Sequence, residues 1–578
     1  MLVDPGQTTR TQLPTPVGIT KGPGESIHEY TFVSRDDFQI LKNGEYVYYE
    51  LDSPRAASHN GSTPARRRVR RVLGRIIKRV PLRLYPDTFL GEPEIAPDQV
   101  AAMVGYHSRT NELFELHVAI MGYYDPATES FINPWIPPQS GKQIFLADDA
   151  MLTEVLSRKK HHEPGSATIG SLLTREPNAV PIVLSVKDVV STHMAIIAST
   201  GAGKSYLASV FIEELMQPHN KACVLIIDPH GEYSTLDQIA NEPSFSESGN
   251  FGPGYRPTVH VYKHDEIKVR LSTLQMGDMR ALLPEMTEKQ QYLLNRALQK
   301  LRSRKGDTPW SVADLKAAIK GSARQKEDEE SEGADDSSTV HALTWRIEQR
   351  FEQSMTFDDS LHLDLREIFK PGQCTVLQLN EIDERDQQVI VATLLRRLYH
   401  ARMDTERGKV HSGESYLPYP VFVLIEEAHH FAPGGAEVVS TSILKQVLAE
   451  GRKFGIGVGI ISQRPGKLDA DVLSQCQTQC IMRIVNEIDQ KSVAAAIEGV
   501  GRDLLHNLPA LSKGQVIVAG SAVNTPVICR VRQRITPHGG ESKDAPEMWQ
   551  QYFSNENQAR LRREEAPLTN NQGFQFFR

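Results

Sequence analysis

"MAIIASTGAGKSYLASV", Met194 to Val210, decides how the chain is read. Four apolar residues lead into a run of small ones, then Gly203, Lys204 and Ser205, then an apolar-periodic helix. From Ala198 to Ser205 the pattern is G-x-x-x-x-G-K-[ST], with Ala198 in place of the first glycine. Gly201 and Gly203 let the backbone curl so that successive N–H groups point inward at phosphate oxygens. Lys204 supplies a point charge for the β- and γ-phosphates, and the Ser205 hydroxyl can ligate Mg²⁺. The helix that starts here adds its N-terminal dipole. Ser199, Thr200, Gly201, Ala202, Gly203, Lys204, Ser205 and Tyr206 are therefore the candidate nucleotide contacts, and Leu207, Val210, Phe211 and Leu215 face a sheet.

Phosphate chemistry needs acids at the ends of neighbouring strands. "VFVLIEEAHHF" supplies them: Val421 to Ile425 form a strand, Glu426 takes a metal-side position, and Glu427 is the candidate general base. "IIDPHGEYS" ends another strand with Asp228, His230 and Glu232, and Asp228 is a candidate metal ligand. "EGRKFGIGVGIISQRP" carries Gln463 just after its strand, where a polar group can sense γ-phosphate or orient water. Arg452 lies just before the same strand, too far to serve its own site but placed to act as an arginine finger on a neighbour. His429 and His430 read as structural or DNA-side, because no spaced third ligand accompanies them.

Around these motifs the chain divides. Residues 1–25 are rich in Pro, Gly and Thr and read as a flexible tail. Short β-type runs over 26–150 predict a small barrel or sandwich, and 151–180 reads as a linker. Within the β region, Arg66, Arg67, Arg68, Arg70 and Arg71 form a basic run that can contact phosphates or simply face solvent. Over 181–273 and 371–533, continuously apolar strands alternate with helical patterns, which predicts an open, mainly parallel α/β sheet. Between them, 274–370 reads as a helical insertion, with Leu294, Leu298 and Leu301 on one helix face and an acidic disordered loop at 324–338. Residues 534–578 form a polar C-terminal extension ending in "NNQGFQFFR".

Bulk composition narrows the function classes. With 578 residues the chain needs two or three domains. Its net charge of -7 advertises no global field for nucleic acid, although a channel can keep its cations local. The odd count of five Cys fits buried thiols in a reducing cytoplasm rather than disulfides. Cys476 and Cys480 are spaced as neighbours on a helix face, without the second pair that a zinc site needs. No stretch approaches the ~20 apolar residues of a membrane span, and the first residues carry no apolar signal-peptide core. The expected location is cytoplasmic.

The ordered set STGAGKS, IDPHGEY, IEEAHHF, EGRKFG and ISQRPGKLDADVLSQC resembles the HerA family of ATPases, within the FtsK–HerA group of DNA pumps. The resemblance covers about 181–532. It implies a RecA-like P-loop core preceded by a β-barrel, a homo-hexameric ring with ATP and Mg²⁺ between subunits, and double-stranded DNA in the pore. It also implies a separate effector docked on the ring. By position it makes Lys204 and Ser205 the Walker A pair, Glu426 and Glu427 the Walker B pair, Gln463 the sensor and Arg452 the finger. The basic residues of 254–275 and the loop "RPGK" at 464–467 are candidates for the pore. The expected activity is ATP-driven translocation or unwinding of double-stranded DNA with a nuclease or other effector, in end processing or antiphage defence. The alternatives are an ATP-binding scaffold that regulates a nuclease or sirtuin-like NAD-consuming enzyme, and a secretion or conjugation motor.

Overall fold

The computed structural model describes residues 15–552 apart from 23–25, 37, 53–68, 83–112, 249–253, 306–307, 328–332, 497–501 and 538–544. Arg66, Arg67 and Arg68, and the aromatic end of the chain, lie outside the described residues.

Strands β1 (Pro16–Thr20), β2 (Glu29–Ser34), β3 (Tyr46–Asp52), β4 (Val69–Leu82), β5 (Leu113–Asp125), β6 (Ser130–Ile132) and β7 (Gln143–Leu146) form the N-terminal module. Their order, β2-β1-β7-β3-β4-β5, closes on itself through antiparallel pairing of β2 with β5. The result is a six-stranded barrel with β6 as a hairpin partner outside it. Closure removes the free edges that an open sheet would expose. Tyr30, Phe32, Val47, Tyr49, Val72, Ile76, Leu116 and Val118 fill the interior. β1 falls inside the stretch expected to be a tail; pairing on both sides, with β2 and β7, outweighs its turn-rich composition.

The core sheet has eleven strands: β8 (Ser166–Leu172), β9 (Pro181–Ser185), β10 (Met194–Ile197), β11 (Cys223–Asp228), β12 (Thr258–Tyr262), β15 (Gln373–Gln378), β16 (Val421–Ile425), β17 (Ile456–Ser462), β18 (Thr478–Ile481), β19 (Gln515–Gly520) and β20 (Val527–Val531). The two-residue strands Val269–Arg270 and Phe357–Asp358, β13 and β14, pair separately. Order β12-β15-β11-β16-β17-β10-β18 is parallel throughout, and β19-β20-β8-β9 continues it as an antiparallel wing. The parallel strands read apolar because helices cover both faces. All five Cys are free and buried. Cys480 sits in a strand, β18, not on a shared helix face with Cys476.

Residues 151–180 are not a linker, because they contain β8, an integral strand of this sheet. Its sequence, SATIGSL, is buried at every position, so small residues replace the large apolar ones that would have signalled a strand. A Cβ on Gly170 would stand 2.0 Å from the Arg530 carbonyl oxygen, so only glycine fits against β20 there. The insertion is helical as expected, and Leu294, Leu298 and Leu301 are buried in it. The acidic segment 324–338 is not a loop throughout. One helix runs to Glu327 and the next starts at Gly333, which leaves 328–332 outside the described residues. Helix-favouring Ala, Arg, Gln, Lys and Glu carry the first of these helices into the charged stretch.

The compact unit ends at Thr536, past the expected boundary at 533. The reason is ionic. Arg532 pairs with Glu213 at 2.9 Å and Glu214 at 2.8 Å, and the amides of Ile535 and Thr536 bond the Glu213 carboxylate. In the following unit, 537–578, the described element is the helix Ala545–Tyr552. Among the described residues no helix is long and apolar enough to cross a membrane.

Candidate active site

β10 is buried along its length and delivers the chain to a loop at the carboxyl edge of the sheet. The loop opens into helix α1 (Lys204–Leu215). Gly201 and Gly203 have φ of +78° and +105°, conformations that Lys204 and Ser205 could not take in their place. Ala198 is not among the non-glycine residues with positive φ, which is why alanine serves where glycine is usual. No side chain caps α1, so its first N–H groups remain directed at an anion. Leu207, Val210, Phe211 and Leu215 are buried under the sheet.

The acids arrive from β16. Glu426 and Glu427 are 0% and 1% exposed, and Glu427 has φ +48°, a left-handed turn that folds its side chain back toward the loop. Glu426 Oε1 meets Lys204 Nζ at 2.6 Å and lies 3.2 Å from Ser205 Oγ. Glu427 Oε1 lies 3.2 Å from the same ammonium and accepts from Gln463 Nε2. Thr200 Oγ1 donates to Gln463 Oε1 at 2.6 Å, so the loop, Gln463 and Glu427 form one hydrogen-bonded chain. Glu427 Oε2 faces His429 Nδ1 at 3.3 Å.

These contacts separate the two carboxyls electrostatically. Burial pushes Glu426 up to about 7, against the pull of Lys204, with Glu232 and Asp228 adding repulsion. Burial also raises Glu427, but Lys204, the Gln463 amide and His429 together hold it below the usual carboxylate range. Burial opposes the Lys204 charge, and Glu426 and Glu427 outweigh it, so the ammonium is retained. Burial, with repulsion from His430, pushes His429 down, against the pull of Glu427.

Asp228 does not join the cluster. Its carboxylate accepts the amides of His230, Gly231, Glu232 and Tyr233 at 2.8–3.3 Å and spends its lone pairs on the turn. Gly231, φ +75°, closes that turn and sends Glu232 into the site. There the Glu232 carboxylate accepts from Ser205 Oγ and stands 3.9 Å from Lys204. A strand-end Asp followed three residues later by Gly is the sequence signal for such a turn. His429 was read as structural or DNA-side, yet its ring sits on Glu427. Tyr206 stands apart from the acids, where its hydroxyl accepts the Arg534 amide at 2.8 Å.

Mg²⁺ suits this donor set. Glu426 Oε2 is buried without a hydrogen-bond partner, beside the Ser205 hydroxyl. Among the described residues no three His, Cys, Asp or Glu side chains make a protein-only metal cage. Mg²⁺ commonly takes one or two carboxylates and completes its shell with water and phosphate.

Arg452 lies elsewhere. The six residue steps of β17, about 20 Å, separate its end of the strand from the end that Gln463 follows. It is exposed on the turn Gly451–Phe454. Near it His193 is buried, and burial, opposed by its bond to the Leu448 carbonyl and aided by Arg452, brings it down to about 4. The unfolded chain therefore takes up a proton between about pH 6.5 and 4 that the folded chain refuses. Stability should fall as pH drops through that window, by up to about 3 kcal/mol. Urea midpoints from pH 7 to 4.5 check this, and His193→Asn should flatten the profile.

A glycine-rich loop feeding a helix, its Lys204 locked to strand-end acids and its helix start uncapped, defines a P-loop ATPase. Residues 167–398 match the family model described as the central domain of helicase HerA. The chain is 29% identical over 435 residues to the DNA double-strand break repair helicase HerA of Pyrococcus furiosus, covering 68% of this chain and 74% of that one. It is 28% identical over 413 residues to the protein of the same name from Saccharolobus solfataricus, covering 69% and 74%. Among solved structures, VirB4 of Thermoanaerobacter pseudethanolicus aligns with a TM-score of 0.45 at 12% identity, over 64% of this chain and 98% of that one. The chain thus contains a region that matches the central domain of helicase HerA, and over about 70% of its length it is similar to HerA helicases.

Proposed function

We propose that the chain is an ATP-driven translocase or helicase on double-stranded DNA. It works in the cytoplasm as a hexameric ring with a nuclease or other effector, in DNA end processing or antiphage defence. The observation that carries this reading is the division of the hydrolysis groups between the two ends of β17. Gln463 joins Lys204, Ser205, Glu426 and Glu427 at the carboxyl end, while Arg452 is exposed at the other. An arginine exposed there is free to reach a neighbouring subunit, whereas as a lone helix-end cation it would only complement the helix dipole. In a head-to-tail ring, that end of one subunit faces the carboxyl end of the next. The names of the two relatives support a DNA substrate.

In this reading the loop amides and Lys204 bind the β- and γ-phosphates. Ser205 and Glu426 would hold Mg²⁺, which would neutralise charge on the phosphate oxygens. Gln463 orients a water and Glu427 takes its proton. The neighbour's Arg452 stabilises charge that develops on the γ-phosphoryl group, a contribution of about 10³–10⁵ in rate. Each step changes the Thr200–Gln463–Glu427 chain and so couples phosphate loss to the strand ends. A linear duplex carrying a protein roadblock tests the reading. The wild-type protein with ATP should clear the block and Lys204→Ala should not. A wild-type protein that hydrolyses ATP and leaves the block in place contradicts translocation.

A further inference from the structure

Arg452 sits on a turn held from two sides by buried side chains. In the turn Gly451–Phe454, Gly451 and Phe454 are buried, and Arg452 and Lys453 alone face solvent. Helices α2 (Glu384–Glu406) and α3 (Val439–Glu450) flank the turn. From α2, Arg402 is 1% exposed and donates Nε–H to the Phe454 carbonyl at 2.7 Å. Its other N–H groups go to the Leu417 carbonyl and to Glu406. Tyr399, one turn earlier, packs edge-on against the Phe454 ring at 5.5 Å, and its hydroxyl bonds Glu450 at the end of α3. Gly455 closes the turn at φ +68°, and a Cβ there would stand 3.1 Å from Arg402 Nη2.

The second hold comes from the other side. His193, 2% exposed, precedes β10, the strand that leads into the phosphate loop. Its Nε2 donates to the Leu448 carbonyl at 2.9 Å, and its Nδ1 accepts from the Val458 amide at 3.1 Å. One imidazole thus joins the last turn of α3 to the third residue of β17, across the segment that carries Arg452. The backbone of His193 has φ 62° and ψ 162°, a region that essentially only glycine occupies without strain. A non-glycine residue persists there only where the surrounding contacts hold it, as the two imidazole bonds do here.

Neither Arg402 nor His193 touches the phosphate loop or the acids. A guanidinium taken out of water to bind main-chain carbonyls is costly unless every N–H is used. Among the bonds these two residues make, Arg402 Nε–H to Phe454 and the His193 bonds to Leu448 and Val458 hold the four-residue turn and its flanks, and the exposed groups of that turn are two cations. We propose that Arg402 and His193 are positioning residues that clamp the turn so that Arg452 meets the neighbouring subunit's nucleotide. The proposal rests on the reading that Arg452 completes that neighbour's site. Displacement of a reacting group by about 1 Å is enough to cost about 10²-fold in rate, so a loose turn would forfeit much of the arginine's contribution.

The test is a double-mutant cycle on DNA-stimulated ATP hydrolysis by the assembled, full-length protein. His193→Asn should lower kcat about 10- to 100-fold, change KM for ATP less than about 3-fold, and cause no further loss when Arg452→Ala is already present. Arg402→Lys keeps the cation but loses the fork, and should give the same pattern. It carries the test where His193→Asn does not fold. Affinity of each variant for a fluorescent ATP analogue should stay at the wild-type value. Losses that multiply with Arg452→Ala, unchanged kcat in both variants, or a parallel loss of nucleotide affinity each overturn the clamp alone. Full activity of Arg452→Ala overturns the neighbour-site reading and the clamp together.

Discussion

Glu427→Gln should bind ATP with near wild-type affinity and turn it over about 10²–10⁴-fold more slowly. The expectation follows from how this carboxylate is held. It is buried, yet Lys204 at 3.2 Å and the amide of Gln463 keep it ionised below the usual carboxylate range. A base must be deprotonated and within reach of its water, and Glu427 sits on the side chain that links to Gln463 and Thr200. Glutamine has the same shape but cannot take a proton. It also turns an N–H₂ toward donors on Lys204 or Gln463, or leaves its oxygen there and loses the charge. Phosphate binding rests on the loop amides and Lys204, which the substitution leaves in place. Single-turnover hydrolysis and equilibrium binding of an ATP analogue, measured side by side, check the split. Equal hydrolysis rates for variant and wild type would remove Glu427 as the base.

Lys204→Ala should abolish hydrolysis and weaken ATP binding at least about 10²-fold. Removing the ammonium deletes the cation for the β- and γ-phosphates and leaves Glu426, Glu427 and Glu232 facing one another. Breaking a buried ion pair from one side typically costs about 3–5 kcal/mol. The loss of fold stability here should be smaller, because Glu426 already titrates at about 7 and can accept a proton instead. The distinguishing readout is thermal unfolding with and without ATP and Mg²⁺. Wild type should gain stability from the nucleotide by mass action and Lys204→Ala should not. An equal nucleotide-dependent rise in Tm for both proteins would show that Lys204 does not hold the phosphates.

The hydrolysis cluster was legible in the sequence because each member follows a strongly apolar strand. β10, β16 and β17 announce themselves by composition, and Ser205, Glu426, Glu427 and Gln463 sit at fixed offsets from their ends. Direction of a side chain beyond a strand end is a different matter. Asp228 and Glu232 are both acids after β11, and only the turn that Asp228 caps decides which one reaches Ser205. β8 escaped notice because its small, Gly- and Ser-bearing residues gain burial from neighbours rather than from their own apolar bulk, and β1 because its Pro and Gly read as turn while pairing with β2 and β7 makes it a strand. Arg402 and His193 act through main-chain carbonyls 52 and 255 positions away, contacts that leave no local pattern. The acidic segment misled for the opposite reason, since its charge suggested disorder while its residue types favour helix.

The placement of nucleotide between chains, with Lys204 and Glu427 from one and Arg452 from the next, can be tested by subunit mixing. Alone, Lys204→Ala should be inactive and Arg452→Ala should keep only the residual rate left by a loss of about 10³–10⁵-fold. Mixed one to one before assembly, they should regain DNA-stimulated ATP hydrolysis. Roughly a quarter of head-to-tail junctions would then pair an intact Lys204 with an intact Arg452. Hydrolysis that stays at background at every mixing ratio, in rings shown to contain both variants, would contradict a site shared between neighbours.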